Sequence, residues 1–188
     1  MNKKSLMISL MLSCVIVLGS SKADAEKLSV KSAFSGTFVS SQTDTNGDGG
    51  KAGFASVVTK GSLGSGTVQG LNEWAFAGQT TCPNGNAGFG FTLLRSLDPT
   101  APANFVQRID STGDLIFTEQ TDGTLCFDPA TSIQFFSVTN TITGGTGRFE
   151  GATGTGESSG TAKTLFEDAA GNFFGEQSGT ATATIITP

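Results

Sequence analysis

The sequence predicts an all-β protein: an antiparallel closed barrel of eight strands, or slightly more. Three observations carry this. No window of residues 26–188 sustains apolar positions at i, i+3, i+4 and i+7, while short runs rich in Thr, Val, Ile and Phe recur throughout. Turn-forming clusters of Gly, Asn and Asp separate those runs at spacings too short for crossover helices. Several of the 26 glycines fall inside the strand-like runs, among them Gly36, Gly64, Gly66, Gly70, Gly90, Gly151, Gly154 and Gly156. Glycine weakens a strand unless the backbone bends or packs closely, as it must where a barrel turns its corners. Closure also removes the exposed edges that ten polar strands would otherwise present.

The strands are expected at 33–41, 52–60, 66–78, 88–97, 105–110, 114–121, 124–127, 132–143, 156–168 and 173–186. Between them lie Asn46-Gly47-Asp48-Gly49-Gly50, Pro83-Asn84-Gly85-Asn86, Ser111-Thr112-Gly113-Asp114, Asp122-Gly123 and Ala170-Gly171-Asn172. The Ser-Thr-Gly-Asp and Asp-Gly connections are short enough for hairpins.

Residues 1–25 have the three parts of a secretory signal peptide. Lys3 and Lys4 are basic, 6–18 is almost wholly apolar, and Ala23-Asp24-Ala25 offers small residues at −3 and −1. The apolar run falls short of the roughly 20 residues a bilayer-spanning helix needs. Cys14 admits a lipoprotein reading, which Met11-Leu12 fits poorly. The expectation is a secreted or periplasmic protein whose residues 26–188 form a single barrel domain. It would have no membrane attachment once the signal is removed.

Eleven basic residues stand against sixteen acidic ones, a net −5. The first 25 residues hold three of the former (Lys3, Lys4, Lys22) and one of the latter (Asp24), which leaves −7 for the rest. Scattered acidic charge gives nucleic acid and anionic membranes no favourable field. The chain has no histidine and no tyrosine, so the usual general base, metal ligand and phenolic acid are missing. No cofactor is expected.

Cys82 and Cys126 remain after processing. In an exported chain two cysteines most simply pair, and a bridge closing about 45 residues stabilises by roughly 4 kcal/mol on chain-entropy grounds. No Cys-x-x-Cys spacing or adjacent base marks either as a reactive thiol.

Asp44-Thr45-Asn46-Gly47-Asp48-Gly49 fits the first half of a calcium loop, with Asp44, Asn46 and Asp48 as oxygen ligands and Gly49 at the sharp turn. Ala55 stands where the bidentate glutamate would be. The alternative is a turn whose residues are chosen for positive φ and local hydrogen bonds. Both readings stand at this point.

Alternation suggests a second site. Arg95 shares a strand face with Phe89, Phe91, Leu93 and Leu97; Glu119 shares one with Leu115 and Phe117; Glu73 shares one with Leu71, Ala75 and Ala77. If those faces point inward, Glu73, Arg95 and Glu119 are the polar anchors of an apolar ligand pocket. Otherwise the apolar faces point outward, at a subunit contact with the charges on its rim, or the charges form a structural ion pair. The fifteen Phe and one Trp are expected mainly as barrel core.

The segment 142–154 reads Ile-Thr-Gly-Gly-Thr-Gly-Arg-Phe-Glu-Gly-Ala-Thr-Gly. Its glycine spacing does not fit a phosphate-binding loop, no lysine follows, and the next residues are strand-like. Gly144, Gly145, Thr146, Gly147, Phe149, Ala152 and Gly154 resemble the signature of allene oxide cyclase-like and dirigent-like barrels. The likeness extends loosely to 113–117 and to Leu125-Cys126, similar to bacterial secreted members. It implies an eight-stranded antiparallel barrel with a lipocalin-like cavity, a segment that joins two late strands, and a homo-oligomer such as the plant trimers. The plant enzymes guide cyclisation or radical coupling of small hydrophobic molecules, and the dirigent sites use tyrosine, which this chain lacks. Three functions follow as expectations: a secreted binder of a small hydrophobic molecule, an allene oxide cyclase-like isomerase or cyclase, or a structural or surface-interaction protein with a packed barrel.

Overall fold

The computed structural model describes residues 25–42, 44, 50–82, 85–94, 104–128 and 130–188, with side chains at 92–94 left aside. Nine antiparallel strands account for most of them: β1 (Glu26–Ser40), β2 (Lys51–Gly61), β3 (Gly64–Thr81), β4 (Ala87–Leu94), β5 (Phe105–Ile109), β6 (Leu115–Asp128), β7 (Ile133–Gly145), β8 (Thr153–Glu167) and β9 (Phe173–Thr187). One turn of 3-10 helix, Gly147–Phe149, lies between β7 and β8.

The sheet closes on itself. Its order is β2-β1-β9-β8-β7-β6-β4-β3, and β3 pairs back with β2, so eight strands form the ring. The ninth, β5, shares a place with β4. Both lie between β3 and β6, end to end. β4 pairs with β3 from Glu73 to Thr81, and β5 pairs with it from Gly66 to Gly70. On the other side β4 meets β6 at 122–125 and β5 meets it at 115–118.

The expected strands at 114–121 and 124–127 are one strand. Asp122-Gly123 makes no hairpin; the β6–β7 register instead shifts between Gln120 and Gly123, a bulge that bends β6. The strand expected from residue 33 starts at Glu26, because Leu28, Val30 and Ser32 already alternate on the inner face. The Ser111–Asp114 and Ala170–Asn172 turns link β5–β6 and β8–β9 as expected.

Two inward-facing glycines show why a barrel with so much phenylalanine needs them. A Cβ on Gly70 would strike the Phe105 ring, and one on Gly175 would strike the Phe38 ring. Each pair lies directly across two strands, so the glycine supplies the space that the ring fills.

One end of the ring is sealed. Val30, Ile109, Ile116, Ile142, Phe149 and Ile185 are buried together there with Ala152. The Gly-Gly-Thr-Gly segment makes the seal, joining β7 to β8. Thr146 donates its backbone N–H to the Leu115 carbonyl at 2.9 Å and accepts the Leu115 N–H through Oγ1 at 2.9 Å. Gly147, at φ 59°, then turns the chain so that Phe149 points inward, fully buried. Arg148 stays outside, over the Phe149 ring at 4.7 Å and 3.5 Å from Asp114.

Candidate ligand-binding cavity

Inside the ring is a cavity of about 320 Å³. It runs from the sealed end, at Val30, Ile116 and Ile185, to the opposite end at Ser40, Gly53, Phe89 and Gln134. Rings line it from several strands: Phe34 and Phe38 of β1, Trp74 of β3, Phe89 and Phe91 of β4, Phe136 of β7. Phe34 and Phe136 face each other with centroids 6.2 Å apart. At the open end Phe76, Phe127, Phe166 and Phe174 are exposed, with Phe166 and Phe174 in contact at 5.6 Å.

The polar groups of the lining are amides and hydroxyls. Gln107 donates from Nε2 to Thr59 Oγ1 at 3.4 Å. Asn140 donates from Nδ2 to Ser158 Oγ at 2.9 Å. Asn72 of β3 lies across from Gly53 and leans over it, and Gln120 pairs across the sheet with Asn140. Among the described residues, no Asp, Glu, Lys or Arg lines the cavity.

This corrects the expectation for Glu73 and Glu119. On β3 the inward residues are Val68, Asn72 and Trp74, and on β6 they are Ile116, Thr118 and Gln120. Glu73 and Glu119 occupy the alternate positions, on the outer side of the wall. Side chains alternate strictly along a strand, so a face assigned wrongly carries all its members with it. The misleading signal is the apolar outer wall, where Leu71 shares the face of Glu73 and Val106 pairs with Phe117. Leu71 and Val106 are exposed there, although Glu73 beside them is only 1% exposed. The Phe89–Phe91 face of β4 points inward as expected, and Arg95 lies outside the described residues.

The wall changes strands at the cavity's middle. Where β4 ends and β5 has not begun, Asn104 spans the opening. Its backbone oxygen accepts the Leu71 N–H of β3 at 3.1 Å, and its Oδ1 accepts the Gln120 N–H of β6 at 3.0 Å. Asn104 is 6% exposed, and its Nδ2 is buried with no hydrogen-bond partner. Nothing in the sequence pattern marks this residue; its role comes from the register of three strands.

Of the other expected sites, the disulfide is formed. Cys82 and Cys126 are disulfide-bonded with Cα atoms 5.8 Å apart. The bond ties the end of β3 to β6 over Gly88 of β4, where a Cβ would strike the sulfurs. Asp44 is exposed just beyond β1, and Asn46 and Asp48 lie outside the described residues. Asp168, in the β8–β9 turn, has the one resolved pKa shift among the described groups. Hydrogen bonds from the Asn172 side chain and backbone, with those from Ala170 and Gly171, hold its carboxyl below the usual value of 3.8. No helix of the described residues is long and apolar enough to cross a membrane.

No family model matches the sequence, and no curated protein matches it. Among solved structures, the chain is similar to a pterocarpan synthase dirigent protein, at 13% identity and a TM-score of 0.41, over 88% of this chain and 87% of the other. A second likeness, to MucB in complex with MucA(peri), has 10% identity and a TM-score of 0.15 over 82% and 88% of the two chains. At these scores neither likeness carries weight for activity, and the ring of strands rests on its own register.

Proposed function

We propose that the protein is an exported binder of a small, largely hydrophobic molecule, held inside the ring. The observation that carries this reading is the cavity itself. Fifteen phenylalanines could have filled a barrel of this size, yet about 320 Å³ stays open among their rings. That volume is at the lower end of the roughly 300–1,000 Å³ of small-molecule sites. A packed structural barrel would have no such space. Binding is favoured over the cyclase alternative because the described lining offers amides and hydroxyls, which do not exchange protons near neutral pH. The Cys82–Cys126 bond supports export, since disulfides persist in oxidising compartments, and the reading of residues 1–25 as a signal peptide agrees.

The test is to purify the processed protein from its native source and identify co-purifying small molecules by mass spectrometry. An apolar compound in near-stoichiometric amount, returned chemically unchanged after incubation, is the expected result. A chemically converted compound would favour the cyclase. A protein that carries nothing and takes up no apolar probe would overturn the binding reading.

A further inference from the structure

We infer that the ligand lies polar end down: a hydrogen-bond donor, hydroxyl or N–H, rests on a polar floor just above the seal, and its apolar body extends to the rings at the open end. This rests on the binding reading above and specifies its chemistry. On four strands the inward position next to a residue of the seal is polar. Ser32 follows Val30 on β1, Gln107 precedes Ile109 on β5, Thr118 follows Ile116 on β6, and Asn140 precedes Ile142 on β7. All four polar residues line the cavity. Toward the open end rings predominate, with Phe38, Trp74, Phe89 and Phe136. Trp74 marks that end, since it pairs with Lys51 at the start of β2.

Asn140 sets the sign of the contact. Its Nδ2 donates to Ser158 Oγ at 2.9 Å and to the Val138 carbonyl at 3.3 Å. A carbonyl can only accept, so the amide nitrogen and oxygen cannot trade places. Both N–H groups are thus committed to the wall, and what Asn140 offers the cavity is its Oδ1, an acceptor. The Gln107 Nε2 is likewise engaged, by Thr59 Oγ1. Asn140 is only 9% exposed, and an acceptor so enclosed is best met by a donor that the ligand brings. The aliphatic seal below the floor and the rings above it suit no second polar group, so the rest of the ligand is apolar.

Trp74 is the protein's single tryptophan, so its fluorescence reports on the open end of the cavity alone. The experiment titrates the processed protein with 1-decanol and with 1-methoxynonane, chains of equal length of which only the first has an O–H. The alcohol should bind about three- to tenfold tighter. Orientation is read with decanol brominated at its far end or beside the hydroxyl, because bromine quenches tryptophan only near contact. Far-end bromine should quench Trp74 strongly at saturation, and bromine beside the hydroxyl weakly. Asn140→Leu should bring alcohol and ether to the same affinity, with ether binding kept as the control for folding. The bromine comparison needs no variant, so it decides the orientation even should Asn140→Leu fold poorly. Ether binding as tightly as alcohol to the unsubstituted protein would overturn the inference. So would stronger quenching by bromine beside the hydroxyl, or an alcohol preference that survives Asn140→Leu. If none of these compounds perturbs Trp74, the binding reading itself fails and takes this inference with it.

Discussion

Asn104 holds the Gln120 backbone of β6 by a side-chain oxygen, while its own backbone oxygen holds Leu71 of β3. Its Oδ1 accepts the Gln120 N–H at 3.0 Å, in the gap between the end of β4 and the start of β5. One side chain thus replaces one rung of a ladder.

Substitution at this position should separate its two roles. Asn104→Ala strands the Gln120 N–H and should cost about 1–2 kcal/mol, read by urea denaturation. Asn104→Asp retains an acceptor oxygen but loses the Nδ2 donor. It should therefore cost less than Asn104→Ala in the same denaturation.

Phe149 and Arg148 are adjacent, but their weights should differ greatly. Phe149→Ala opens a hole in the fully buried seal and should cost about 3–5 kcal/mol. Arg148→Ala removes a half-exposed pair with Asp114 and a ring contact, and should cost no more than about 1 kcal/mol. Equal losses in thermal melts would contradict the seal.

Local signals mark strands and turns along the chain, whereas long-range register decides which face is inner. Strand spacing and turns were legible because Thr-, Val- and Phe-rich runs and Gly/Asn/Asp clusters act locally. The seal was legible as a motif, although the sequence alone does not say that Phe149 is its plug. Alternation places the apolar face inward on β4, where Phe89 and Phe91 line the cavity, but outward on β3 and β6. There Leu71 and Phe117 make the outer face look like a core, whereas the cavity is lined by Asn72, Thr118 and Gln120. Alternation gives two faces but does not label them when both carry apolar side chains. The break between β4 and β5 was invisible, since it depends on how β3 and β6 share one position in the ring.

The disulfide should matter to the wall as a whole. Cys82→Ser with Cys126→Ser removes a link between positions 44 apart, at a cost of roughly 4 kcal/mol. Hydrogen exchange should rise first in β4, the strand it straddles. Uniform acceleration around the ring would argue against a local tie.

Acid should loosen the β8–β9 turn in a defined window. Asp168 is held ionised by Asn172, Ala170 and Gly171, so its folded value is below 3.8. A depressed carboxyl contributes stability that is fully present above its unfolded value and is lost as pH falls through the folded one. Carboxyl NMR titration should therefore show Asp168 protonating later than an ordinary aspartate as acid is added. In Asn172→Ala it should return toward 3.8.

The pairing of β1 with β9 imposes an order on the birth of this protein. Glu26 meets Thr187 and Ser40 meets Phe173, so the first strand made lies beside the last one made. Until β9 leaves the ribosome, β1 has a neighbour on one side alone, and the ring stays an open ribbon. A pairing so distant along the chain forms slowly. Meanwhile the unclosed ribbon exposes an edge that a chaperone or a second nascent chain could occupy. The final strand is the clasp, and the interior space comes into being only when it fastens.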